Sequence, residues 1–177
     1  MRGILLNSAT SLLSWPVAQY IRYQRDLLHE VGKPIASSDR TALESFFDSH
    51  DLDRVRIVIQ DPLPIQAGLF CQLGNLLGLD VPGESKIAAI TFEHVIAART
   101  PLPAAMLFHE LVHVVQFRLL EIGPFAQLYT RGLLSTGRYE DIPLERCAYE
   151  LEARFEMDLA PFRVEAEVAQ WIEGGRF

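Results

Sequence analysis

The sequence predicts a single α+β domain, in which a few short strands pack on one long central helix. The segment from Pro103 to Leu120 is apolar apart from four ionisable side chains, and it is too long for one strand. Two short runs rich in β-branched residues, 54–59 and 89–97, read as strands. A chain of 177 residues buries roughly 70% of its unfolded surface as one domain, so residues 1–177 are predicted to share one core.

The first fifty residues are predicted to form a helical N-terminal extension, residues 1–50. A helix is expected over Pro16–Glu30, because a Gly-Lys-Pro turn follows it. Either Ser38 or Asp39 caps a second, shorter helix that runs through Phe47. No motif in this extension indicates chemistry.

The core is predicted to span residues 54–160 and to begin with strands. The first strand is expected at Val55–Ile59. Turn residues and an apolar centre over Asp61–Gly83 indicate a loop with a short helix. A hairpin follows, with Ala89–Phe92 as one strand and His94–Ala97 as the other.

The central helix has candidate signals at both ends. Thr100 is a suitable N-cap, and Pro101 suits the first helical position. At its other end, Gly123-Pro124 is expected to stop the helix. About twenty residues at ~1.5 Å each span about 30 Å, the diameter of a small domain, so this helix is expected to lie at its centre.

The remainder of the chain is predicted to be helical. A short helix is expected near Phe125–Leu133. A longer helix over Pro143–Leu159 follows, with Asp141 as a plausible N-cap. Trp171 and Phe177 indicate that the C-terminal tail docks on the domain.

The central helix carries the motif His109-Glu110-Leu111-Val112-His113. Positions i and i+4 lie one turn apart on one helix face, so both imidazoles can reach one metal ion. Glu110 lies beside that position, where it can accept a proton from water and pass it on. The alternative is a core helix with two hydrogen-bonded histidines. However, burying two imidazoles and a carboxylate costs several kcal/mol unless something pairs with them, and a divalent metal would do so.

A third ligand is expected from another element, since a catalytic zinc usually has three protein ligands and one open position. In the three-histidine zinc proteases, a glycine and then a third histidine follow the second ligand, three and six residues after it. Here those positions hold Gln116 and Leu119. The three-histidine class of zinc protease is therefore disfavoured. Downstream, the segment from Tyr139 to Glu152 offers several carboxylates.

The motif at His109–His113, together with the later Glu-x-x-Ala segment at Glu145–Ala148, resembles the gluzincin metallopeptidases. The hairpin before the central helix resembles that of the small gluzincins called minigluzincins, so the resemblance covers about residues 54–160. It implies a small zincin-like domain and a Zn²⁺ ion held by His109, His113 and Glu145. Glu152 remains the main rival as third ligand. The edge strand would hold an extended peptide by backbone pairing.

The sequence departs from the gluzincin pattern at Tyr149, where an aspartate often orients the first histidine. Glu152 or a backbone carbonyl could take that orienting role, since ligating imidazoles donate their free N–H to such groups. By the same resemblance, Tyr139 or Tyr149 could donate a hydrogen bond to the tetrahedral oxyanion.

The leading expectation is a zinc-dependent metallohydrolase, most simply a small peptidase that acts on a peptide or protein substrate. Glu110 would be the catalytic general base and then the general acid to the leaving amine. The alternative is a non-catalytic or degenerate zinc-binding module, with an interaction or regulatory role on a zincin fold. An open fourth metal position favours catalysis, whereas four protein ligands favour the module.

Composition narrows the remaining classes. The net charge of −7 disfavours nucleic-acid binding driven by phosphate neutralisation. No apolar stretch is long enough to cross a bilayer, and polar residues interrupt the N-terminal apolar run, so no membrane association is expected. Cys71 and Cys147 are too few for a disulfide framework and are expected to be free buried thiols. These features predict a cytoplasmic location.

Overall fold

The computed structural model describes residues 2–65, 87–157 and 160–177. It confirms the α+β class, since these residues form seven helices and one three-stranded sheet. The helices are α1 Arg2–His29, α2 Ser37–Leu43, α3 Ser49–Arg54, α4 Ala104–Leu120, α5 Ile122–Thr136, α6 Pro143–Glu156 and α7 Val164–Glu173, and a 3₁₀ turn covers Tyr139–Asp141. The strands are β1 Arg56–Ile59, β2 Ala89–Phe92 and β3 Val95–Ala98.

The sheet has the strand order β1-β3-β2, with β3 parallel to β1 and antiparallel to β2. The predicted first strand and the predicted hairpin are therefore confirmed. The central strand β3 is buried along its whole length. Among the described strands, β2 lies at an edge of the sheet and packs against α4.

Helix α4 is the core helix that its sequence predicts. Eleven consecutive residues, 107–117, are buried on it, because α5, α6, α7 and β2 all pack against this helix. Its apolar residues Leu111 and Val112 are fully enclosed. A helix that is covered all round in this way can be apolar on every face.

Both predicted ends of the central helix are wrong. The helix begins at Ala104, not near Thr100, because Pro103 disfavours the helical conformation at the residue before it. It ends at Leu120, because the next residue, Glu121, has a backbone φ of 64°. Pro124 does not stop it, since Gly123 and Pro124 lie in the first turn of α5, where a missing N–H is tolerated.

The N-terminal helices also differ from their predicted bounds. Helix α1 runs from Arg2 to His29 and includes Pro16 in its interior. Its residues Ala18 and Ile21 share a buried cluster with side chains of α5, and this packing stabilises a helix that a proline would otherwise weaken. Helix α2 is shorter than predicted and has Ala36 at its N-cap, and Asp48 caps an unpredicted helix, α3.

The C-terminal elements follow the prediction more closely. Pro143 is the first residue of α6, as expected, although Ile142 is the N-cap and Asp141 lies in the 3₁₀ turn. The tail docks, because Trp171 is buried and its ring centroid lies 5.5 Å from that of Phe177. Helix α6 ends at Glu156, three residues before the predicted end at Leu159, and Met157 is its C-cap. Most of the predicted loop at 61–83 lies outside the described residues. No helix in the described ranges is long and apolar enough to cross a membrane.

The burial of α4 generates a stability prediction. Leu111 is fully buried on α4, whereas Leu12 is 76% exposed on α1. Replacing Leu111 by Ala should lower the free energy of unfolding by about 2–5 kcal/mol, because the cavity cannot fully collapse. Leu12→Ala should change it by less than about 0.5 kcal/mol. Urea denaturation of the two variants checks this, and equal effects would contradict the central position of α4.

Candidate metal centre

The two histidines of the motif lie on one face of α4 and meet a glutamate from α6. Helix α6 packs along α4, and this contact brings Glu145, in the first turn of α6, opposite His109 and His113. All three residues are buried, with 3–7% of their surface exposed. They form a group that could hold a metal ion.

The distances between the facing atoms suit a tetrahedral ion. His109 Nε2 and His113 Nε2 are 3.1 Å apart. Glu145 Oε2 lies 3.5 Å from His109 Nε2 and 3.4 Å from His113 Nε2. Ligand atoms at 2.0–2.1 Å from a tetrahedral zinc are separated by about 3.3–3.4 Å. One ion can therefore contact all three atoms without rearrangement of the helices.

Glu152 holds the far side of the His109 ring. Its Oε2 lies 3.0 Å from His109 Nδ1. A carboxylate accepts and does not donate, so Nδ1 carries the proton of this hydrogen bond. The lone pair of His109 then lies on Nε2, which faces His113 and Glu145. The structure thus places Glu145 among the converging atoms and Glu152 behind the first histidine.

Gln116 holds the far side of the His113 ring. Its amide nitrogen donates to the carbonyl oxygen of Leu144 at 2.9 Å, which fixes the orientation of the amide group. The amide oxygen therefore faces His113 Nδ1, at 2.9 Å, and accepts its proton. As in His109, the lone pair lies on the Nε2 atom that faces Glu145.

Two ring lone pairs and one carboxylate oxygen consequently converge on one buried position. With both rings neutral and protonated on Nδ1, Glu145 Oε2 receives no hydrogen bond from the described part of the chain. Buried polar atoms are normally paired, and lone pairs that face one another repel. A cation at this position satisfies all three atoms, which is why the residues fit a metal ion.

The electrostatics of the site favour positive charge. Burial alone would lower the pKa of His109, but hydrogen bonds with Glu145 and Glu152 outweigh it and raise that pKa to about 10. The pKa of His113 is also raised, because the charge of Glu145 outweighs burial. Although burial opposes ionisation of Glu145, the charge of His113 and hydrogen bonds with the two histidines lower its pKa to about 2. The potential that holds protons here also attracts a metal cation.

Glu110 lies beside the three converging side chains and is also buried. Thr91 Oγ1, on the edge strand β2, donates to Glu110 Oε2 at 2.6 Å. Burial raises the pKa of Glu110, while the charges of His113 and His109 act in the opposite direction. A carboxylate with a raised pKa that is held by one hydrogen bond is suited to accept and return a proton.

The two predicted tyrosines flank the site. The ring of Tyr149 lies 4.6 Å from that of His109, and 43% of the residue is exposed. Burial and the charge of Glu145 raise the pKa of Tyr149 to about 12 and that of Tyr139 well above its usual range. Both hydroxyls keep their protons at neutral pH and can donate hydrogen bonds. Cys147 is a free buried cysteine whose pKa burial raises to about 12, so it stays a thiol.

Two residues of the site, Gln116 and Thr91, are not among those predicted from the sequence. The signal for Gln116 is its spacing, since an amide three residues after a histidine lies on the same helix face. Thr91 has no comparable signal, since its contact with Glu110 joins a strand to a helix nineteen residues away.

Comparison with known proteins gave no match to any family, curated protein or solved structure.

The raised histidine pKa values predict that metal affinity depends on pH. In the metal-free protein the pKa of His109 is about 10, so at neutral pH its ring carries a second proton, on Nε2, and a metal ion must displace this proton. Zinc affinity should therefore fall by at least about tenfold per pH unit as the pH is lowered from 7.5 to 6. Competition with a chromophoric chelator measures it, and a constant affinity over this range would contradict the assignment of His109.

Replacing Glu145 and replacing Glu152, two acids of α6, should reduce zinc binding to different extents. Glu145→Ala removes one of the three converging atoms and should abolish stoichiometric zinc binding. Glu152→Gln weakens the partner of His109 Nδ1 and should reduce zinc affinity by about 10–100-fold. Glu156→Gln, an exposed acid of the same helix, is the matched control and should bind as the wild type does. Full zinc occupancy in Glu145→Ala would remove Glu145 from the ligand set.

Proposed function

We propose that this chain is a zinc-dependent metallohydrolase, and specifically a small peptidase. The observation that carries the proposal is the convergence of His109 Nε2, His113 Nε2 and Glu145 Oε2 at 3.1–3.5 Å, with both outer ring nitrogens already hydrogen-bonded. Two imidazoles and one carboxylate form a ligand set known from catalytic zinc sites, and they leave a fourth position for water.

The identity of the metal is proposed from the donor set. Two neutral imidazoles and a carboxylate suit zinc better than magnesium or calcium, which prefer oxygen ligands throughout. The nearby thiol of Cys147 keeps its proton and faces Gln116 rather than joining the three donors, so a thiolate-rich site is not indicated.

The bound ion would supply a Lewis acid that polarises the substrate carbonyl and acidifies the attacking water. The chain's own residues would manage the protons. Glu110 would accept a proton from that water on its carboxylate and pass it to the leaving amine. Thr91 would hold this carboxylate through its hydrogen bond to Glu110 Oε2. The protonated hydroxyls of Tyr139 and Tyr149 are the candidate donors to the developing oxyanion.

A peptide substrate is proposed for two reasons. The resemblance of the motif and of the Glu-x-x-Ala segment to the gluzincin peptidases is one. The other is the position of β2, which is an edge strand among those described and which also carries Thr91, the partner of Glu110. An extended peptide that pairs with this edge would pass close to the proposed base.

One observation favours a second candidate, a non-catalytic zinc module. His109, His113 and Glu145 are each at most 7% exposed, which is the burial expected of a structural site. In that case the metal would join α4 to α6 and stabilise an interaction surface. Turnover and coordination number separate the two functions.

The Glu110→Gln variant tests the proposed chemistry. The amide keeps the shape of the side chain but cannot accept the proton, so zinc should stay bound while peptide hydrolysis falls by at least about 10²-fold. The assay uses a mixture of fluorescence-quenched peptides and the zinc-loaded protein, with Glu156→Gln as the control. A chelator should abolish the wild-type activity, and added zinc should restore it.

Wild-type turnover in Glu110→Gln would contradict the role of this residue. A wild-type protein that binds zinc through four protein ligands and cleaves none of the peptides would favour the non-catalytic module.

A further inference from the structure

We infer that Gln116 is a positioning residue of the metal site, which sets the tautomer of His113 and joins the two helices that carry the ligands. The inference rests on the proposed metal site but not on peptidase activity. Gln116 is fully buried on α4, and both halves of its amide are engaged.

The first half of the amide acts on a ligand. Gln116 Oε1 accepts from His113 Nδ1 at 2.9 Å. A neutral imidazole carries its proton on either nitrogen, and only the Nδ1–H form presents a lone pair on Nε2. A fixed acceptor opposite Nδ1 selects that form before the metal arrives. Metal binding then avoids the cost of changing the tautomer or turning a buried ring.

The second half of the amide acts on the other helix. Gln116 Nε2 donates to the carbonyl oxygen of Leu144 at 2.9 Å, and Leu144 directly precedes Glu145. The amide therefore connects His113 on α4 with the first turn of α6 at the level of the site. This connection sets where α6 lies along α4, and the 3.4 Å separation between His113 Nε2 and Glu145 Oε2 depends on that position.

A second buried glutamine, Gln24, lies outside the metal site. It is fully buried on α1, and neither its amide oxygen nor its nitrogen has a hydrogen-bond partner in the described ranges. Gln24→Met is consequently a matched control, since it removes an amide of equal burial from a position outside the metal site.

The test compares zinc affinity and the visible spectrum of the cobalt-substituted protein across these variants. Gln116→Met keeps the length of the side chain but neither hydrogen bond, and it should weaken Zn²⁺ binding by about 10–100-fold. The Co²⁺ spectrum, which reports the geometry of the ligands, should change as well. Gln116→Glu retains an acceptor opposite His113 Nδ1 and should recover part of the affinity lost in Gln116→Met. Gln24→Met should leave both measurements unchanged.

Unchanged zinc affinity and an unchanged Co²⁺ spectrum in a folded Gln116→Met protein would overturn the inference, while the proposed function would stand. If that variant does not fold, Gln116→Asn decides, because its shorter amide cannot reach both partners: affinity equal to the wild type overturns the inference, and weaker affinity supports it. A wild-type protein that binds no Zn²⁺ defeats the proposed function and the inference together, and this is seen before any variant is made.

Discussion

The structure depends on one electrostatic constraint, the convergence of two histidine nitrogens and a glutamate oxygen at one buried position. His109 and His113 come from α4, Glu145 comes from α6, and each is almost completely buried. Without a cation these atoms repel one another, and the raised pKa of His109 shows how strongly the site attracts positive charge. A cation bound at this position would therefore stabilise the packing of α6 on the apolar helix α4.

Each side chain to which the proposed chemistry assigns a role, other than Glu145 and the tyrosines, is held by a hydrogen-bond partner. Glu152 of α6 fixes His109 of α4, and Thr91 of β2 fixes Glu110. Gln116 fixes His113 and is itself held by α6. Such partners lock the rotamer and tautomer of a functional side chain before a ligand binds, which reduces the reorganisation required in binding or reaction. This layer distinguishes the site from two histidines that are merely buried in a core.

The sequence predicted the features that depend on local pattern. The i, i+4 spacing and the apolar surroundings were enough to place His109, Glu110 and His113 on a central helix, and β-branched runs were enough to place the strands. The predicted ends of the central helix were wrong, and two prolines lie at these ends. Pro103 delays the start of α4, and Pro124 is accommodated within α5. The sequence named Glu145 as third ligand and left Glu152 as its rival, and the packing of α6 on α4 brings Glu145 to the two Nε2 atoms and Glu152 to His109 Nδ1. The i, i+3 spacing of Gln116 from His113 is visible in the sequence, but the contacts of Gln116 with Leu144 and of Thr91 with Glu110 join separate elements, so no local pattern reports them.

The most direct test of the central claim is X-ray absorption at the zinc edge, recorded on the protein loaded with one equivalent of Zn²⁺. The account predicts a first shell of nitrogen and oxygen only, at about 2.0–2.1 Å, with the outer-shell scattering of two imidazoles. The assignment of His109, His113 and Glu145 as ligands would be contradicted by a sulfur ligand at about 2.3 Å or by a third imidazole. It would also be contradicted if one equivalent of Zn²⁺ did not remain bound to the protein.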